Sequence, residues 1–176
     1  MVGVAPYPAD GLDWFAGMTD SNIEEFGAAI AGRTDLLALL APVADAIRAD
    51  PAAMLASLEA ELSDADRRAM ADPALRAMLL ESFAESVRAG VTGWVDDDLA
   101  FCHPWGFEPA DIAIPTLLWH GEADLLVPPA HTRWLADRIP AATLVIRADA
   151  GHMHALAALP EVIDWLVAPA RRTPGP

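Results

Sequence analysis

Apolar positions recur with a helical period in the first part of the chain and form continuous runs in the last part, so two kinds of element are expected. Ser21 followed by Glu24 has capping-box spacing, and Ile23, Phe26 and Ile30 then share one face until Gly32. A second stripe predicts a helix over 35–48, with Pro42 as its point of bend. Asp50-Pro51 and Asp72-Pro73 each set a capping acid before a first-turn proline. Met54, Leu55, Leu58 and Leu62 follow the first signal; Leu75, Met78, Leu79, Phe83 and Val87 follow the second. Ser63, with Asp66 at its third position, caps a further short helix. Five amphipathic helices with no strand between them are therefore expected within residues 19–92.

Three short apolar runs, near residues 2–5, 114–119 and 142–147, predict strands. Residues 6–18 are rich in Pro and Gly and are expected as a loop anchored by Leu12, Trp14 and Phe15. Residues 91–111 carry Asp96, Asp97 and Asp98 among aromatics and are expected as a solvated connection, with Trp105-Gly-Phe107 filling a junction. Helical spacing follows Pro128. Leu156, Leu159, Val162, Ile163 and Leu166 predict a C-terminal helix over one face of the sheet, and residues 171–176 a frayed end. Strands joined by helices make this an α/β chain with about three parallel strands.

Two side chains stand just beyond the later strands: Asp124 after the run ending in His120-Gly121, and His152 after Ala142–Arg147. Parallel strands joined by a helix bring their carboxyl ends to one sheet edge, where an acid and a histidine can meet. A carboxylate on one ring nitrogen fixes the tautomer and supports the cation formed when the other nitrogen takes a proton. Taken singly, Asp124 reads as a turn acid bonding its own backbone and His152 as a helix-start residue. The joint spacing favours chemistry. Glu122 is an alternative acid, and Asp10 and Asp13 are more distant ones.

The run Ile114-Pro-Thr-Leu-Leu-Trp-His-Gly-Glu-Ala-Asp-Leu-Leu-Val-Pro128, with Ala150-Gly-His152 after it, resembles the last strands of the α/β-hydrolase fold. The resemblance implies Asp124 as triad acid, His152 as triad base, a small-molecule substrate and no cofactor. It divides the chain into the end of a core strand and a loop (1–18), a helical cap or lid (19–92), a C-terminal core (93–170) and a tail (171–176). It also implies a nucleophile on a sharp strand-to-helix turn of the Gly-x-Ser-x-Gly kind. None of the five serines, 21, 57, 63, 82 and 86, lies in such a turn. The expectation is a fragment, since the chain starts abruptly on an apolar run, or a degenerate family member; in either case it is expected to be inactive alone. A first strand with an unpaired edge would favour self-association. The alternative is a non-catalytic helical module that binds an apolar partner.

Composition narrows the partners. The formal charge is −15 and all 11 basic residues are Arg, with no basic run longer than Arg171-Arg172, which argues against nucleic acid. The longest strongly apolar stretch, Leu36 to Ala44, is too short for a bilayer and contains Pro42. A single cysteine, Cys102, permits no internal disulfide and is compatible with a cytoplasmic protein. His103, His120, His131 and His154 lack the helical pair spacing and thiolate company of a zinc site, so no metal is expected.

Overall fold

The computed structural model describes residues 3–168, so residues 1–2 of the expected first strand and the expected tail at 171–176 lie outside the described residues. Four of its described helices start where a side chain takes the free N–H groups of the first turn. Asp50 caps α3 (Pro51–Glu61) by accepting from Ala52 and Ala53 at 3.1 and 3.0 Å. Ser63 caps α4 (Asp64–Ala69), and Asp72 caps α5 (Pro73–Ser86). The cap of α1 (Asp20–Ala31) is Thr19 rather than Ser21, whose hydroxyl instead donates to Glu61. α2 (Arg33–Ala49) runs through Pro42 and buries Leu36, Leu40, Ala44 and Ile47.

The helical segment extends beyond the expected boundary at 92. Residues 91–111 were expected as a connection, yet α6 (Thr92–Cys102) occupies over half of that stretch, followed by a 3-10 turn at Pro109–Asp111. Val95, Leu99 and Cys102 lie on one helical face, which packs against α1 and α2. The aspartate run crosses the edge of that face: Asp96 and Asp97 are exposed, but Asp98 is buried. Trp14 anchors the preceding loop to the same core, with its ring edge-on to Phe26 at 4.9 Å and its indole N–H donated to the Ala5 carbonyl.

The sheet has two parallel strands among the described residues, β1 (Thr116–Gly121) and β2 (Ala142–Arg147), in register from Thr116 opposite Ala142 to Gly121 opposite Arg147. Side chains alternate across it. Leu118 packs with Leu135 and Ile139 around α7 (Pro129–Ala136), whereas Trp119 packs the other way, on Ala150 and Ala158. The expected third strand is not formed by residues 3–5. Their backbone donors are taken by side chains of α7: Gly3 donates to Thr132 Oγ1 and Ala5 to His131 Nδ1. The edge expected to promote self-association is therefore not presented there.

The single C-terminal helix expected is divided at Ala158 into α8 (His154–Ala157) and α9 (Leu159–Val167). Pro160 has no N–H to continue the ladder across the break. α8 lies on β1, but Ile163, Leu166 and Val167 of α9 remain more than half exposed, so α9 does not bury its apolar face among the described residues.

Two tests follow from this packing. A Cβ at Gly121 would stand 2.4 Å from the Ala150 carbonyl oxygen, so Gly121→Ala is expected to cost about 1–3 kcal/mol in urea unfolding. Burial, aided by Glu25 and then Asp97, pushes the Asp98 carboxyl up to about 8. The fold thus keeps a proton that the unfolded chain releases above about pH 4, and stability falls as pH rises from about 4 to 8. Asp98→Asn should be the more stable protein at pH 8 by more than about 1 kcal/mol, with the gap closing toward pH 4.

Candidate active site

β1 and β2 end side by side, and the chain pairs on past them: Glu122 N–H donates to Arg147 and Ala123 N–H to Ala150, both at 2.9 Å. Asp124 and His152 leave the sheet at this same edge. The Asp124 carboxylate is 2% exposed and uses its two oxygens differently. Oδ1 accepts from the main-chain N–H of Leu126 and Val127, each at 2.9 Å, and so closes the turn after the strand. Oδ2 lies 2.9 Å from His152 Nδ1 and 3.2 Å from His120 Nε2. Turn acid and histidine partner are one residue.

These contacts settle the protonation pattern. Burial alone would raise the Asp124 pKa, but hydrogen bonds from His120 and His152, the His152 charge and the Val127 N–H together lower it to about 2. Burial would likewise lower His152; the hydrogen bond and charge of Asp124, with the charge of Asp66, outweigh it and hold the imidazole above its ordinary value. Nδ1 must carry a hydrogen to bond the carboxylate, so Nε2 is the nitrogen of neutral His152 left as acceptor. It makes no hydrogen bond among the described residues, and the side chain is one-third exposed.

His152 is part of the wall of a cavity of about 560 Å³. Leu58, Leu79 and Phe83 of the helical segment line it together with Trp119, Leu156 and Val162, so the wall is apolar apart from His152. The Trp119 indole N–H is buried without a partner among the described residues.

The other expected acids are elsewhere. Glu122 pairs with Arg133 on the surface, and Asp10 and Asp13 are exposed. His131 is buried between the Ala5 N–H and the Trp14 carbonyl, which makes it a neutral structural ring. Its pKa is lowered, chiefly by burial.

Two residues gained a place that sequence reasoning did not give them. His120, considered only as a metal ligand, donates from Nε2 to the Val127 carbonyl at 2.7 Å beside Asp124, with its Nδ1 against the Thr132 hydroxyl. Its signal was its position next to the strand end. Asp66, taken only as the third residue of a helix cap, is fully buried against the His152 loop. No local signal in the sequence marks that role.

Neither a family model nor a curated protein matches the chain. No helix among the described residues is long and apolar enough to cross a membrane.

The His152–Asp124 contact has a sign that can be measured. A histidine raised above its unfolded value of about 6.5 stabilises the fold fully below that pH and loses the contribution as pH rises through the raised value. Asp124→Asn removes the charge that lifts it. By NMR, the His152 Cε1–H titration midpoint is expected above about 6.5 in the parent and lower in the variant.

Proposed function

We propose that this chain carries the acid–base pair of an α/β-hydrolase-type hydrolase acting on a small, partly apolar substrate. The observation that carries this reading is the 2.9 Å contact of buried Asp124 with Nδ1 of His152, a residue that lines an apolar cavity. In this reading His152 Nε2 takes the proton of the attacking group and later returns it to the leaving group. Asp124 holds the tautomer and stabilises the imidazolium in between. The helical segment acts as the cap, and Leu58, Leu79 and Phe83 set which apolar groups fit.

The cavity wall offers no serine, threonine or cysteine among the described residues. Ser21, Ser63 and Ser86 spend their hydroxyls on Glu61, Asp66 and the Phe83 carbonyl. The attacking group is thus not supplied by this wall, and the 176 residues should bind an apolar ester without turning it over. The same feature favours a second reading, a binding module in which His152 only borders the ligand.

p-Nitrophenyl butyrate tests the first. Titrated into ¹⁵N-labelled protein, it is expected to shift the Trp119 indole and His152 ring resonances, while parent and His152→Ala hydrolyse it at rates within about twofold. An ester that leaves both resonances unmoved would remove the substrate reading. A rate that collapses in His152→Ala would show that the nucleophile is present after all.

A further inference from the structure

The helical segment and the His152 loop are joined by a carboxylate that local helix capping does not account for. Asp66 of α4 is fully buried. Its Oδ2 accepts from Ser63 Oγ at 3.0 Å and from the main-chain N–H of His152 at 3.1 Å. Its Oδ1 accepts from the Met153 N–H at 2.8 Å. Residues 152 and 153 lead directly into α8, so a side chain 86 positions earlier in the chain supplies the acceptor for that start.

The approach is close enough to dictate the residue opposite. A Cβ at Gly151 would lie 2.2 Å from Asp66 Oδ2, so the glycine preceding His152 is what lets the carboxylate reach the backbone. His154 makes no hydrogen bond to it: Nδ1 of that ring is 3.7 Å away and accepts the Gly151 N–H. The partners of this buried charge are thus N–H and O–H dipoles, two of them on the residues that carry and follow the imidazole. A buried carboxylate is costly unless such donors are in place.

We propose that Asp66 is a positioning residue for His152: it clamps the backbone of residues 152–153, so that seating the helical segment and aiming the imidazole at Asp124 and the cavity are one event. This rests on the reading of His152 as a base. It differs from Asp124 in mechanism, since Asp124 holds the ring whereas Asp66 holds the main chain beneath it and adds a second negative charge nearby. Displacing α4 would release both.

The test compares Asp66→Asn with Ser63→Ala. The first removes the charge and one acceptor lobe; the second removes the cap of α4 and one O–H donor to Oδ2 but leaves the carboxylate and both loop N–H bonds. Asp66→Asn is expected to lower the His152 Cε1–H midpoint by about half a unit, a threefold change in proton affinity, and to speed exchange of the His152 and Met153 amides at least about tenfold. Ser63→Ala should lower the melting temperature and leave the His152 midpoint where it was. An unchanged midpoint in Asp66→Asn, or the same shift in both variants, would overturn the proposal. Should Asp66→Asn not fold, the parent still decides: its His152 and Met153 amides must be protected, and exchange as fast as an exposed loop would end the idea. Asp124→Asn separates the two levels of inference. If it alone moves His152, the base survives and the Asp66 clamp does not; if Asp66→Asn moves His152 and Asp124→Asn does not, the base reading fails instead.

Discussion

A charge taken out of water has to be surrounded by donors, and at Asp124 that requirement organises the sheet edge. A carboxylate has about four acceptor positions. Here two backbone N–H groups occupy one oxygen and two imidazoles converge on the other. The turn after β1, the orientation of His120 and the orientation of His152 are therefore not independent features. Any shift of the 124–127 turn moves the acceptor that both rings point at. Because Oδ1 is held by the backbone, Oδ2 has little freedom to follow a wandering histidine, and the histidine must come to it.

What brings it there is mostly outside the sheet. Two strands alone are a marginal structure, and here their loops are held by the helical segment. Thr19 N–H donates to the Leu125 carbonyl at 2.9 Å, Asn22 Nδ2 to the Leu126 carbonyl at 2.8 Å, and Asp66 receives the His152 and Met153 amides. Both loops that carry the pair are thus fastened to α1 and α4. The segment that forms one wall of the cavity also bonds the backbone of its one polar residue, so the shape of the cavity and the placement of His152 depend on the same docking.

How much of this the sequence disclosed depends on how far apart the partners are. Caps at Asp50, Ser63 and Asp72 act within three residues, and local spacing revealed them. Asp124 and His152 are 28 positions apart but each is tied to a strand end, and parallel geometry makes strand ends meet; that is why the pair was legible. Residues 3–5 looked like a strand because they are apolar. Their donors went to Thr132 and His131, more than 120 positions away, a choice no local pattern encodes. α6 was obscured because three consecutive aspartates read as solvated, although a helix turns each to a different side. Asp66 satisfied a capping rule so well that nothing prompted a search for its other partners. Glu122 and Asp124 were close competitors until Arg133 was seen to claim the former.

Histidine content by itself would not have singled out a base, and the contrast between two buried rings shows why. His131 has an N–H donor against one nitrogen and a carbonyl against the other, so adding a proton would break the bond from Ala5 as well as bury a charge. Its pKa is lowered, and the stability it contributes is lost as pH falls below about 6.5. His152 has the Asp124 carboxylate on its protonated side and the charge of Asp66 nearby, so the added proton is favoured; its contribution is lost as pH rises through the raised value instead. The same side chain loses proton affinity in one setting and gains it in the other. A base must exist neutral to act and must be stable once charged. Of the two rings, only His152 meets the second condition, through its hydrogen bond to Asp124.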